Sequence, residues 1–264
     1  MKNNRLSVVI ITKNEEEDIG PCLESVKWAD EIIVIDSFSD DRTVEICRKY
    51  GSKVFKTKYE GYAEKKNFAI EEAAGEWILS LDADERISPE LIKEIKEVLR
   101  GNGNEDGYLI PMKFFFFGRW MRHGGLYPKP HLRLFKKGKG KFEEIAVHEG
   151  VKVEGRVGYL RYPMLHYSYK NLDDYLQKFN RYSTLDALDK AGKRRYGRWY
   201  PFLRLPSEFI LIYFIRQGFR DGFHGLLYSI LQAFYVFVKY VKLWERQQDG
   251  KQKTEDRGQN NPAF

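Results

Sequence analysis

The stretch WILSLDADERISPE (Trp77–Glu90) places Asp82, Asp84 and Glu85 directly behind an apolar run and directly ahead of a helix start. Three carboxylates at that point stand out in a chain whose formal charge is +7. WILSLD has the composition of a strand covered on both faces, and Ser88 followed by Pro89 reads as an N-cap with proline at the first helical position. The carboxylates therefore sit where a buried strand hands over to a helix.

Working outward, the same alternation recurs on the N-terminal side. LSVVIIT (Leu6–Thr12) and EIIVID (Glu31–Asp36) are further apolar, β-branched runs, and between them Ile19, Cys22, Leu23 and Val26 recur at helical spacing. SDDRTVEICRKYG supplies capping residues, a short helix and a terminating Gly51; KVFKT is a short strand; EGYAEKKNFAIEEAAG is helical up to Gly75. Strands alternating with helices imply an α/β fold with an open, mostly parallel, Rossmann-like sheet, and such sheets take ligands beyond the carboxyl ends of their strands. Asp36 and Asp82 both stand at such ends.

Downstream, Leu91, Ile95, Val98 and Leu99 form the buried stripe of a helix, and GNGNEDG is a turn. From Tyr108 to Tyr169 the pattern changes to strands and Gly-rich loops, which predicts an α+β half built onto the first sheet. Asn171 to Leu188 reads as a helix with Leu172, Tyr175, Leu176 and Phe179 on one face. The expected organisation is a domain over 1–190, with a ligand-binding half over 1–100 and a second half over 101–190. A basic amphipathic helical extension follows over 191–248, and then a disordered polar tail over 249–264.

The chain has 264 residues, 42% of them hydrophobic, enough to bury a sizeable core. Its basicity is local: from Lys193 to Lys253 there are twelve Lys/Arg against four Asp/Glu, which leaves the rest close to neutral. An anionic partner is expected for that region, either phospholipid headgroups or nucleic acid. FILIYFI (Phe209–Ile215) and GLLYSILQAFYVFV (Gly225–Val238) are each too short to span a bilayer, and Arg216, Arg220, Asp221 and His224 interrupt them. Helices lying in a membrane interface and a buried hairpin or dimer interface both fit; the local charge favours the anionic membrane surface over the alternatives, nucleic acid included. A homo-oligomer is left open. Cys22 and Cys47 lack metal or redox spacing and read as core thiols of a reducing compartment, and the N-terminus enters a strand at once, so the expected location is the cytoplasmic side, peripheral on the membrane.

Two aspartates one residue apart can both reach a hard cation where the backbone turns, and Mg²⁺ or Mn²⁺ completes its shell with phosphate oxygens and water. Alone, D-x-D is better explained by turn and cap residues; its place after the last strand of this half-sheet favours the ligand role. Motifs for P-loop ATPases, dinucleotide dehydrogenases, serine esterases and HExxH peptidases are absent.

These residues resemble the family 2 glycosyltransferases of the GT-A fold. VVIITKNEEEDI resembles the family's first strand and nucleotide loop, IIVIDSFSDDRT its second strand and base-reading aspartate, KKNFAI its R-N-x-A/G-I helix, and LSLDADE its metal-binding motif. LRLFKKGKGKFEEIAVHEGV and GFRDGFHGLLYSILQAFYVFVKYVKLWE resemble the branch of lipopolysaccharide core β-1,4-glucosyltransferases. The resemblance implies an inverting, metal-dependent transfer of a hexose, glucose from UDP-glucose, to a lipopolysaccharide core or other glycolipid or lipid-linked acceptor.

It also implies roles. Thr12, Asn14 and Glu15 would line the uridine pocket, and Asp36 would accept from the uracil. Lys66, standing where the family usually has Arg, would meet phosphate, with Asn67 beside it. Asp82 and Ala83 would touch the ribose or the metal shell, and Asp84 would be the principal metal ligand, joined by Asp82. In the branch resembled, an H-E pair fills the slot of the base, which makes Glu149 the base and His148 its neighbour; Glu143 and Glu144 are competing acids. Arg133, Lys136 and Lys137 are candidates for the diphosphate or the acceptor, and Trp120 and Tyr127 for stacking on a sugar. A polyprenyl-phosphate sugar synthase and a non-catalytic membrane-surface module are the alternatives.

Overall fold

A computed structural model describes residues 4–59, 61–101, 104–143, 150–191 and 196–259, with side chains as far as 248. In chain order the strands are β1 (Leu6–Thr12), β2 (Glu31–Asp36), β3 (Lys53–Lys56), β4 (Trp77–Asp82), β5 (Glu85–Ile87), β6 (Gly107–Ile110), β7 (Met112–Phe116), β8 (Arg119–Trp120), β9 (His131–Lys136), β10 (Gly140–Glu143), β11 (Gly150–Val153), β12 (Val157–Tyr159) and β13 (Met164–Tyr169). The α-helices are α1 (Ile19–Val26), α2 (Thr43–Lys49), α3 (Tyr62–Glu72), α4 (Pro89–Leu99), α5 (Leu172–Lys190), α6 (Tyr200–Ile210) and α7 (Gly222–Gln259). The chain divides into two compact units, Met1–Phe115 with Leu126–Ser168, and Phe116–Gly125 with Tyr169–Phe264. This division runs differently from the boundaries drawn on sequence, since α5 groups with the C-terminal helices.

In the first unit a seven-stranded sheet has the order β12-β6-β9-β4-β1-β2-β3. β4, β1, β2 and β3 run parallel, and β9 alone is antiparallel to both its neighbours. The sheet is thus mostly parallel, as the sequence predicts. Strand order reverses around β1, so the crevice between the ends of β1 and β4 is the topological switch point where such sheets bind ligands. From the second half, β6, β9 and β12 extend this sheet sideways, while β10 pairs with β11 and β13 pairs with β5 in separate antiparallel sheets.

Alternation along each strand divides the core. Leu6, Val8 and Ile10 pack with Leu79 and Leu81 against the α1 and α4 side, while Val9, Ile33, Ile35 and Ile78 pack against Ala63, Ala69 and Ile70 of α3. Both cysteines are buried free thiols. Ser88 caps α4, its hydroxyl accepting from the Leu91 N–H at 3.3 Å with Pro89 next in the chain. Glu31 ties β2 to β1 and to the end of α3. Its carboxylate accepts from Ser7 Oγ (2.5 Å), Lys53 Nζ (2.6 Å) and the Ala74 N–H (2.8 Å). Burial would raise this carboxyl, yet the three donors outweigh burial and bring it down to about 2. Its stabilising contribution is therefore complete above pH ~4.5 and is lost as pH falls toward 2. Glu31→Gln is expected to cost about 1–3 kcal/mol in denaturant titrations at pH 7, and the difference from wild type should vanish by pH ~2.

The second unit is helical. Tyr175, Ser183 and Ala187 form the buried side of α5, with Tyr175 Oη donating to the Leu231 carbonyl at 2.9 Å and Tyr235 Oη donating to Asp186 at 2.7 Å. Leu172 and Leu176, expected on that buried face, are exposed, because aromatic packing turns the helix toward Tyr175 and Phe179 instead. The apolar runs read as too short to span a bilayer belong to longer helix. Helical structure is continuous enough over Gly218–Gln248, with mean hydropathy 1.3 in its most apolar window, to cross a membrane by length and composition. Charged residues after Val238 do not stop α7, since Lys239 pairs with Asp186 and Lys242 caps groups on α5 within the unit. Helix also continues to Gln259, where the sequence predicts a disordered tail.

Candidate active site

Residues 82–85 alternate. Asp82 and Asp84 are partly exposed at the end of β4, whereas Ala83 and Glu85 turn inward, Glu85 fully buried. The three carboxylates thus resolve into two that face out and one that lies beneath.

Asp82 is held from both sides. Lys66 Nζ, on buried α3, meets Oδ1 at 2.9 Å, and the Arg133 guanidinium donates to Oδ2 at 3.0 Å. The same Arg133 nitrogen donates to Glu85 Oε1 at 2.6 Å, and Glu85 Oε2 accepts from the Asp82 N–H at 2.9 Å. Burial alone would raise the Asp82 carboxyl, but Lys66 and Arg133 hold it well below the usual range. Glu85 goes the other way: burial, with Asp82 and Asp84 close by, raises it despite Arg133. His131, on the adjoining strand, is driven down to about 4 by burial and by Arg133 and Lys129. The sequence-predicted Lys66, Arg133 and Asp82 are therefore one cluster.

Asp84 has a partner that sequence reasoning missed. His166, from the middle of β13, brings Nε2 to 3.4 Å from Asp84 Oδ2, while Ser168 Oγ lies 2.7 Å from the same nitrogen. Burial would lower the imidazole, but the charge and hydrogen bond of Asp84, with Glu85 and Asp82 behind, raise it. No signal in MLHYSY distinguishes this histidine from an ordinary half-buried strand residue; only the pairing of β13 with β5, which sets His166 opposite Glu85, brings it here.

Around the ends of β1 and β2, Thr12 is buried and its hydroxyl has no hydrogen-bond partner among the described residues. A buried polar atom left open at a strand end is what an absent ligand would satisfy. Asn14 adopts φ 55° and its side chain accepts from the Asp40 N–H at 3.1 Å; the Glu15 N–H donates to Thr43 Oγ1 at 2.8 Å. Asp36 is fully buried and accepts from the Ser39 hydroxyl at 2.5 Å and from the Ser39 N–H at 3.1 Å. Asn67 is committed to packing, its amide making two 2.9 Å bonds to the Phe142 backbone.

Lys136 and Lys137 are not at the site. Lys136 lies across from Trp77, at the opposite end of β4 from Asp82, because β9 runs antiparallel. Lys136 pairs with Asp106, and Lys137 donates to the carbonyls of Glu71 and Ala73. A cavity of about 560 Å³ opens at that far end and holds none of the motif residues. Trp120 stacks under the Arg122 guanidinium in the second unit, 4.4 Å from its ring centroid. Glu143 pairs with Lys152 at 3.4 Å. The residues assigned as base and neighbour, Glu149 and His148, and the competing Glu144 lie outside the described residues.

Among the described residues no cluster of three or more His, Cys, Asp and Glu surrounds a common point. Asp84 and His166 nonetheless fit a divalent cation that draws its remaining ligands from a diphosphate and water, and an imidazole nitrogen suits Mn²⁺ better than Mg²⁺. Asp82, with both oxygens already on cations, fits a supporting role better than a direct one.

A strand-end aspartate pair backed by buried cations at the switch point of a mostly parallel sheet stands where such folds bind their ligands. The model of glycosyl transferase family 2 matches residues 7–161, and the chain belongs to that family. It is 30% identical over 249 residues to the lipopolysaccharide core biosynthesis glycosyltransferase LpsC of Rhizobium meliloti, covering 91% of this chain and 92% of that protein. An uncharacterized glycosyltransferase of Rickettsia typhi is 32% identical over 258 residues, covering 91% and 87% of the two chains. Among solved structures, TarS of Staphylococcus aureus in complex with UDP-GlcNAc superposes with TM-score 0.51 at 17% identity, covering 93% of this chain and 92% of that one, a likeness of fold.

Proposed function

We propose that the chain is an inverting, metal-dependent hexosyltransferase that moves glucose from UDP-glucose to a lipopolysaccharide core or related envelope glycolipid at the cytoplasmic face of the membrane. The observation that carries this reading is the Asp84–His166 pair standing over the Lys66–Asp82–Arg133–Glu85 cluster at the ends of β1 and β4. The likeness to the R. meliloti lipopolysaccharide core biosynthesis glycosyltransferase supports the acceptor class.

Asp84 and His166 would hold a Mn²⁺ or Mg²⁺ ion, whose charge offsets that developing on the leaving diphosphate. Lys66 and Arg133 present positive charge beside it, fixed in direction by Asp82 and Glu85. Thr12 Oγ1, Asn14 and Glu15 lie at the uridine end. Inversion needs a carboxylate that takes the acceptor hydroxyl's proton on the face opposite the departing phosphate, and Glu149, with His148 orienting it, fills that role on family resemblance.

Calorimetry and turnover on Glu149→Gln test the assignment. UDP affinity in Mn²⁺ should stay within ~3-fold of wild type while transfer falls ~10²–10⁴-fold. Full turnover by that variant would favour a phosphate nucleophile that needs no base, as in a polyprenyl-phosphate sugar synthase. UDP affinity indifferent to chelator in the wild type would overturn the metal-dependent reading. Running the assay with UDP-glucose and UDP-N-acetylglucosamine side by side decides the sugar.

A further inference from the structure

Between α6 and α7 the chain makes a tight knuckle. Residues Leu211–Ile215 form a π-helical turn and Gly218–Asp221 a 3₁₀ turn, with Gln217 between them in the left-handed region at φ 58°. Four large apolar side chains on it face solvent: Phe214 (56% exposed), Ile215 (68%), Phe219 (49%) and Phe223 (71%). The stripe continues on α6 through Trp199, Leu203 and Ile210, and on α7 through Ile230 and Phe234, all exposed and at helical spacing.

A hydrophobic loop that merely lacked a partner would be loose, but this one is fastened. Both oxygens of buried Asp221 are engaged: Oδ2 accepts from the N–H groups of Arg122 (3.0 Å) and His123 (2.8 Å), and Oδ1 lies 3.0 Å from His123 Nδ1. The Gly124 N–H donates to the Arg216 carbonyl at 2.8 Å. A Cβ on Gly225 would collide with the Gly218 carbonyl, and one on Gly218 would come 2.8 Å from the Ile212 carbonyl. The fold thus holds four apolar side chains in fixed positions in water, where each is unfavourable unless something covers it.

Charge indicates what covers it. Arg198, Arg216 and Arg220 are exposed along the same segment. Between Tyr196 and Ile230 the only acids are Glu208, paired with Arg204 at 2.6 Å, and the engaged Asp221. We propose that the knuckle Phe214–Phe223 is a preorganised wedge that inserts into an anionic phospholipid leaflet, with Arg216 and Arg220 at headgroup level. It does so without α7 crossing the bilayer. α7 is bound into its own unit by Tyr235 and Lys239 on Asp186 and by Lys242 on Asn180, Ser183 and Thr184, polar contacts that a transmembrane passage would break. The inference sharpens the membrane placement in the proposed function, and it is tested on lipid alone so that it can fail while the transfer chemistry stands.

The test is flotation of the full chain with vesicles of phosphatidylglycerol and phosphatidylcholine, and with phosphatidylcholine alone. Wild type should bind the anionic vesicles. The triple variant Phe214→Ser, Ile215→Ser, Phe219→Ser should bind ~30-fold or more weakly. Arg220→Ala should lose ~5-fold on anionic vesicles and nothing on neutral ones. Tyr159→Ser, which removes an exposed aromatic of the first unit, should change nothing. Unchanged circular dichroism and UDP binding in the variants confirm that they are folded. Wild-type flotation by the triple variant would overturn the proposal, as would release of the wild type by detergent but not by alkaline carbonate, which marks a spanning helix. Burial of the knuckle in a stable dimer that ignores vesicles would overturn it equally.

Discussion

Asp84→Asn is expected to lower sugar transfer about 10³-fold, some 4 kcal/mol of transition-state stabilisation, while leaving the fold intact. Asp84 is partly exposed, and His166 Nε2 lies 3.4 Å from its carboxylate. Removing its charge therefore affects function before stability. The same substitution should abolish the gain in UDP affinity that Mn²⁺ confers, a binding readout independent of turnover. His166→Ala should fall in the same direction, and the double variant should be scarcely worse than either single one, because two residues that would hold one ion would act as a unit. Additive losses, or Asp84→Asn activity within ~10-fold of wild type, would remove this pair from the centre of the reaction.

Glu85→Ala should do the opposite and act on stability first. Arg133 has only 11% of its side chain exposed, and the fully buried Glu85 anchors it at 2.6 Å. Taking away one partner of a buried ion pair typically costs about 3–5 kcal/mol, and the lower end is expected here because Arg133 keeps Asp82 at 3.0 Å. For a chain of this size that corresponds to a fall of roughly 10 °C in melting temperature. Glu85→Gln keeps the shape and a hydrogen-bond acceptor, so it should recover part of the loss. A Glu85→Ala variant that melts with the wild type in scanning calorimetry would show that Arg133 does not depend on it.

The parallel half of the sheet was legible in the sequence because its strands are buried on both faces and carry unbroken apolar runs. Leu6–Thr12 and Glu31–Asp36 match the observed β1 and β2 residue for residue. The aspartates at 82 and 84 stood out only by their place at the end of such a run, since D-x-D by itself has turn and cap uses. What escaped lies far away along the chain. His166 reaches Asp84 only through β13, whose pairing with β5 no local pattern announces. Lys136 and Lys137 looked like site residues because they follow Arg133 closely, yet a strand rises ~3.3 Å per residue, and the antiparallel direction of β9 carries them away from Asp82. The apolar run Gly225–Val238 reads as a short segment, yet α7 continues past it because Lys239 and Lys242 make contacts to α5.

The alternation at 82–85 has a consequence for how this segment can vary. Inserting or deleting one residue there would exchange the wet and dry positions, sending Glu85 out to solvent, burying a carboxylate with no guanidinium beneath it and turning Asp84 away from His166. Substitutions can be absorbed one side chain at a time, whereas a change of length throws the whole segment out of phase. The spacing of these four residues therefore matters to the proposed site as much as their chemistry does.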